Sequence, residues 1–248
     1  MKKTFIAIMF ITVSIIPTQK AKEILTKYTA QSGGQEKWDQ VSSFKITGVA
    51  KLMSQGGMEL PFERYMTKEG KQYTSLKVSG MDYISIASDG KTVWGSNQQM
   101  KPERKDTDVS KNTLLQKYDF PYRGHNWKKN EYSVEYMGKV NVENKNAYKI
   151  KLTKRPQWVN GKELENIVYI YFDTQSYLPF YQETKVFSGP NKDKTMKSYM
   201  TNYKDVNGLL YPFTVTMKYD NDVFQILEAK EVKWNVTINE DMFTMPNE

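Results

Sequence analysis

From Ser43 almost to the C-terminus, apolar and polar residues alternate with a period of two. Phe44 and Ile46 alternate with Lys45 and Thr47, and Tyr148, Ile150 and Leu152 with Lys149, Lys151 and Thr153. Later, Tyr211, Phe213, Val215, Met217 and Tyr219 alternate with Pro212, Thr214, Thr216, Lys218 and Asp220. Val232, Trp234, Val236 and Ile238 do the same against Lys233, Asn235 and Thr237. Successive side chains of a strand point to opposite faces, so each run has one wet and one dry face, as in an antiparallel sheet. Turn-forming residues separate the runs: Gln55-Gly56-Gly57, Glu69-Gly70, Ser79-Gly80, Asp89-Gly90, Asn160-Gly161, Asn207-Gly208 and Tyr219-Asp220-Asn221-Asp222. This spacing predicts a meander of hairpins.

Two stretches depart from that period. Residues Ala21 to Gln31 place Ile24, Leu25 and Tyr28 on one helical face and end at Ser32-Gly33-Gly34, a short amphipathic helix with a glycine stop. Gln35 to Val41 can add a turn anchored by Trp38. Between Met100 and Trp127 no strand pattern survives, and Val109 to Tyr118, with Leu114 and Leu115, predicts one or two short helices. The expected architecture is mainly β: one strongly curved antiparallel sheet of about ten strands, which must curl, close or be covered. The two helical segments are suited to cover its concave face.

The first residues follow another logic. Lys2 and Lys3 precede an apolar run from Phe5 to Ile16. A run of about 12 residues has the length of a secretory signal, whereas a spanning helix needs about 20. Pro17 breaks the helix, and cleavage is expected within Thr18-Gln19-Lys20-Ala21. Residues 1–21 are thus read as a cleaved leader and 22–248 as a single exported domain, because no linker or composition shift divides them. Losing Lys2, Lys3 and Lys20 lowers the formal charge of +8 by three, to +5. The basic runs are short and sit among acids, so a nucleic-acid groove is not expected.

Composition narrows the chemistry. The absence of cysteine excludes disulfides, thiolate metal sites, a thiol nucleophile and a lipid-modified N-terminal cysteine. His125 stands alone, which disfavours a Ser-His-Asp triad and multi-histidine metal sites. The pairs Glu163 with Glu165 and Asp220 with Asp222 are the residue types a glycosidase uses, but such pairs are common on exposed hairpins. The chain's wealth is in bulky residues, with 17 Tyr, 11 Phe, 5 Trp and 13 Met. No catalytic residue, metal ligand or cofactor is expected.

Four segments, in order, carry a family resemblance. Val41-Ser42-Ser43-Phe44 opens the first strand, and Ser88-Asp89-Gly90-Lys91-Thr92-Val93-Trp94 forms a later hairpin. Tyr169 to Pro179 reads as a strand, an Asp-centred turn and a leucine-proline pair. The chain closes with Ile238-Asn239-Glu240-Asp241-Met242-Phe243-Thr244-Met245-Pro246. Together they resemble the LolA/LolB-type outer-membrane lipoprotein carrier family, over about residues 21–246, in its soluble branch. The resemblance implies an unclosed β-barrel capped by helices over a hydrophobic cavity, in a monomeric periplasmic protein. It also implies partners: lipoprotein acyl chains or phospholipid, an inner-membrane release complex and an outer-membrane acceptor. Family carriers often hold the lid with an arginine before the Ser-Asp-Gly-Lys hairpin. Here that stretch carries lysines, including Lys68, with Arg64 just upstream.

Burying a methylene is worth about 0.8 kcal/mol, so a 16-carbon chain costs on the order of 12 kcal/mol to leave in water. A carrier therefore needs a dry trough. The bulky residues of the first hairpins are its lining candidates: Met53, Met58, Leu60, Phe62, Tyr65, Met66, Leu76, Met81, Ile84, Ile86 and Trp94. Flexible methionines suit an irregular ligand; the same residues would equally make an ordinary sheet core. The expected function is a carrier that sorts lipoproteins to the outer membrane. Its alternatives are an envelope lipid sensor, whose relatives carry a further C-terminal domain, and an exported hydrolase with two carboxylates.

Overall fold

The computed structural model describes residues 17–121 and 126–246, so the apolar leader and His125 lie outside the described residues. Thirteen strands form one antiparallel sheet among the described residues. The first series is β1 (Ser43–Leu52), β2 (Met58–Thr67), β3 (Gln72–Val78), β4 (Met81–Ser88), β5 (Val93–Ser96) and β6 (Pro102–Arg104). The second is β7 (Ser133–Val142), β8 (Lys145–Val159), β9 (Lys162–Asp173), β10 (Pro179–Lys185), β11 (Thr195–Val206), β12 (Leu209–Tyr219) and β13 (Asp222–Trp234). Neighbours in the sheet are neighbours in sequence except where β1 pairs with β13, with Phe44 opposite Trp234 and Ile46 opposite Val232. That pairing joins the two series and leaves β6 and β7 as the edges of an unclosed barrel.

The expected helical insertion is α3 (Thr107–Leu114), continued by a 3-10 turn over Leu115–Asp119. Asp106 caps α3 by accepting the Val109 N–H at 2.9 Å. The insertion bridges the two series. On one side the Asn112 side chain accepts the Trp158 N–H at 2.8 Å and donates to the Trp158 carbonyl at 2.7 Å, copying a strand pairing. On the other the buried Gln72 amide donates to the Thr113 carbonyl at 3.1 Å. Asp119 and Lys154 pair at 2.5 Å, with 15% and 12% of their side chains exposed.

Helix α1 (Pro17–Gln31) begins four residues earlier than the pattern predicts. A side chain on Gly33, at φ 124°, would come within 2.3 Å of the Gly208 carbonyl, so glycine is required where α1 abuts the β11–β12 turn. A short helix α2 (Gln35–Asp39) presents Trp38 inward. Strand β13 stops at Trp234, short of the predicted Ile238. Asn235 turns to φ 56°, and its Oδ1 accepts the Ser42 N–H at 2.8 Å. The tail then crosses to the first series, where the Trp94 indole donates to the Phe243 carbonyl at 2.9 Å. Among the described residues no helix is long and apolar enough to cross a membrane.

The convex face carries a polar network. The rings of Tyr171 and Tyr181 lie 4.7 Å apart, and those of Tyr181 and Tyr199 lie 4.9 Å apart. Tyr171 and Tyr181 donate to Glu183 at 2.6 and 2.8 Å, and Lys149 stands 3.4 Å away. Burial, reinforced by the Glu183 carboxylate, pushes both phenols well above the ordinary value. Burial also works against the Glu183 charge, but the two hydroxyls and Lys149 outweigh it and hold the carboxyl below its ordinary value.

Candidate functional site

The concave face has three zones, defined by what covers it. Over β7–β9 it is filled by α1: Ala21, Ile24, Leu25 and Tyr28 pack on Val134, Ile150, Leu152, Val168, Ile170 and Phe172. Ala21, Ile24, Ile150 and Phe172 have no exposed surface, and the Tyr28 and Phe172 rings meet at 5.4 Å. Full burial of an aliphatic or aromatic side chain contributes about 1.5–3 kcal/mol. This zone is therefore core.

The second zone lies where β1 meets β13. Trp38, Val41 and Phe120 close over Phe44, Ile46, Phe62, Met66, Phe213 and Trp234. Phe120, which follows the 3-10 turn, stacks on Phe44 at 5.8 Å, and the Trp38 ring meets Trp234 edge-on at 5.5 Å. Gly48 shapes this zone: a side chain there would come within 2.8 Å of the Phe62 ring and 2.1 Å of the Glu228 carbonyl. The glycine thus lets Phe62 lie across β1.

Beyond it, toward the β1–β2 and β12–β13 hairpins, inward positions continue without a helix over them among the described residues. Register sets Leu60 beside Ala50, Ala50 beside Leu227, Leu227 beside Val215 and Val215 beside Met200. One step further, Met58, Leu52, Gln225, Met217 and Ser198 form a second row. Leu52, Leu60, Val215, Met217 and Leu227 are part-exposed, and Met58 is 46% exposed. These rows carry no charged side chain. With Gln225 and Ser198 as their polar members, they form a largely apolar trough on five adjacent strands.

The predicted lining residues divide accordingly. Met58 and Leu60 stand in the trough. Phe62 and Met66 face the same way but are packed in the second zone, with Leu76 against them. Ile86 shares this inward face through its pairing with Thr74, opposite Arg64. Met53 and Met81 lie at hairpin tips, 43% and 58% exposed. Tyr65, Ile84 and Trp94 are on the convex face. Tyr65 neighbours Lys45, Ile84 neighbours Ser75, and Trp94 neighbours Ala87 beneath the C-terminal tail. Leu52, Val215, Met217 and Leu227 were absent from the candidates. Alternation marked Val215 and Met217 as dry, but only the pairing of β1 with β13 brings them to the first hairpins.

Of the two cations considered for the lid, Arg64 is the inward one. Its guanidinium lies 5.8 Å from the Phe44 ring centroid, below Phe120. Burial raises the Tyr211 phenol above its ordinary value, and the Arg64 charge opposes that rise. Lys68 is exposed at the end of β2 and donates to the Asp39 carbonyl at 3.3 Å. The acid pairs do not converge on a cleft. Glu163 and Glu165 are exposed on β9, and Asp220 accepts the Thr195 N–H at 3.0 Å within its turn. Among the described residues no group of three or more His, Asp or Glu could hold a metal ion.

No protein-family model and no curated protein matches this sequence. Solved structures do match its fold. A DUF1329 family protein from Desulfovibrio piger superposes with a TM-score of 0.58 at 14% identity, covering 93% of this chain and 98% of that one. A LolA superfamily protein from Nitrosomonas europaea gives 0.56 at 13% identity, covering 90% and 97%. A domain named as an outer-membrane lipoprotein-sorting protein, from Vibrio parahaemolyticus, gives 0.57 at 11% identity, covering 91% and 97%. At these identities the likeness establishes the fold, which is the unclosed barrel of the LolA type.

Proposed function

We propose that this protein is an exported carrier that holds the acyl chains of a lipid or lipoprotein in the trough and performs no catalysis. The observation that carries the reading is the set of inward apolar residues left at least partly exposed, Met58, Leu60, Leu52, Leu227, Val215 and Met217, over which no helix lies among the described residues. Such a surface is costly to expose unless something binds it. In this reading the apolar leader is removed on export to the periplasm at a point that leaves Ala21 in α1. Cargo passes from an inner-membrane release complex to an outer-membrane acceptor, and Arg64 under Phe120 takes the lid-holding place. The protein is purified gently from its native envelope, and whatever co-purifies is extracted into solvent and identified by mass spectrometry. Stoichiometric acylated peptide or phospholipid is expected. An empty protein that also fails to take up a fluorescent fatty acid would overturn the reading.

A further inference from the structure

The two polar members of the trough differ in what can reach them. Ser198 is only 4% exposed, whereas Gln225 is part-exposed at the middle of its row. Leu52 pairs beside Gln225 on β1 and Met217 on β12, with Met58 one strand beyond Leu52. Just past it β13 bulges at Phe224, because Lys218 pairs with Val223, and the Phe224 ring stacks on Tyr219 at 4.3 Å. Tyr219 continues the inward alternation of Met217 and pairs with Met196 on β11. An amide and a phenol thus stand at the hairpin end of an otherwise apolar surface.

Among the described residues neither the Gln225 amide nor the Tyr219 hydroxyl takes part in a hydrogen bond within the protein. The buried Gln72 amide, by contrast, is satisfied by the Thr113 carbonyl. No charge stands with them on the two rows. Lys51 and Glu59, beside the trough, face the convex side and pair at 3.3 Å, and Lys197 and Lys218 are on the convex side as well. The inward cation Arg64 lies four residues from Leu60 along β2, about 13 Å away, within the packed second zone. At the β12–β13 tip stand two exposed acids, Asp220 and Asp222, with Lys197 held to Asn221 at 3.3 Å. A carboxylate seated on the rows would lose hydration with no cation to replace it. An ester or amide carbonyl carries no charge and can accept the Gln225 N–H.

We infer that the trough selects acyl chains joined through an uncharged ester or amide over free fatty acids, with Gln225 donating to the linkage carbonyl and Leu52, Met58 and Met217 against the chain. The inference rests on the carrier reading and narrows its cargo. Free fatty acid still enters, but less tightly. The linkage chemistry is shared by a glyceride and by an acylated peptide.

The test is displacement of the neutral fluorescent probe N-phenyl-1-naphthylamine from the purified protein by ligands that each carry one palmitoyl chain. Monopalmitoylglycerol is expected to displace it at a concentration about tenfold below that of palmitate. Gln225→Leu should weaken the glyceride about three- to tenfold, the worth of one hydrogen bond, and leave palmitate unchanged. Gln225→Lys supplies the missing cation and should reverse the preference. Thermal melts check that both variants fold, and the leucine variant suffices should the lysine one fold poorly. Tighter binding of N-palmitoylglycinamide than of monopalmitoylglycerol would assign the cargo to an acylated peptide, and the opposite order to a glyceride. Equal affinity for palmitate and monopalmitoylglycerol, or a preference that survives in both Gln225 variants, would overturn the inference. A protein that takes up neither the probe nor any palmitoyl ligand would overturn the carrier reading itself, so the two failures are distinguishable.

Discussion

The concave face over β7–β9 and the concave face near the β1–β2 hairpin carry the same alternating pattern and meet different fates. Val134, Ile150, Leu152 and Phe172 are sealed by α1. Leu60, Leu227, Val215 and Met217 point the same way from the same sheet and stay part-exposed. Strand periodicity dictates which side chains face inward, but what covers them depends on where helices of limited length fall. Helix α1, 15 residues long, can cover only part of so wide a sheet. The difference separates residues that hold the fold from residues available to a ligand.

Substitutions can break that contrast. The largest effect is expected in the sealed zone: Phe172→Ala should lose about 3–5 kcal/mol by leaving a cavity under Tyr28, read as a lower urea midpoint. A loss below about 1 kcal/mol would show that this zone is as loosely packed as the trough. Asp119→Ala should cost about 3 kcal/mol, because it removes the carboxylate paired with the Lys154 ammonium in a nearly buried place. Faster hydrogen exchange in α3 and its 3-10 turn, with β11–β13 unaffected, is the expected signature; unchanged exchange would mean that this pair does not anchor the bridging segment.

The convex network gives an intermediate effect with a pH signature. Glu183→Ala should cost about 2 kcal/mol, since it removes charge-assisted hydrogen bonds to two phenols. Linkage fixes the sign at high pH. The Tyr199 phenol is pushed by burial and by Glu143 from 10.0 up to about 12, and Tyr171 and Tyr181 are raised as well. In that range the folded protein holds protons that the unfolded chain has released, so stability present below pH 10.0 is lost as pH rises toward about 12. Glu183 has the opposite sense: its lowered value gives stability that is present at neutral pH and lost as acid protonates it. Thermal melts of the parent and of Tyr199→Phe from pH 9 to 12 test the alkaline limb, and parallel curves would refute it.

The smallest stability change should come from the trough, with the largest change in binding. Met58→Glu, on a side chain 46% exposed, should move stability by under about 1 kcal/mol. It should nonetheless cut fatty-acid uptake at least tenfold by setting a charge among apolar rows. Uptake unaltered in this variant would remove the first hairpin from the trough.

Much of this molecule was legible in the sequence, residue by residue. Alternation identified Tyr148, Ile150, Leu152, Phe213 and Trp234 as inward and the lysines between them as outward. The Gly-containing turns fell where the chain reverses, and the loss of pattern after Met100 marked the bridging helix. The order of four weak motifs gave the LolA-type barrel. The site was less legible. Met58 and Leu60 do face inward, but Tyr65, Ile84 and Trp94 were grouped with them although register and a bulge between Thr74 and Ser75 set them on the other face. A bulge adds one residue to a strand and so reverses the faces beyond it, which composition does not reveal.

What the sequence determined by itself is local: the period of two, the turns that reverse the chain, the apolar face of α1 and the chemistry that missing cysteines exclude. These follow from the geometry of a few consecutive residues. What only the tertiary structure decided is which strands meet and what lies over them. The pairing of β1 with β13 joins residues nearly a chain length apart, and it alone sets Leu60 in line with Leu227 and Val215. Whether an inward residue becomes core or trough is fixed by contacts with α1, Trp38 and Phe120, because burial belongs to the assembled surface and not to any one segment of the chain.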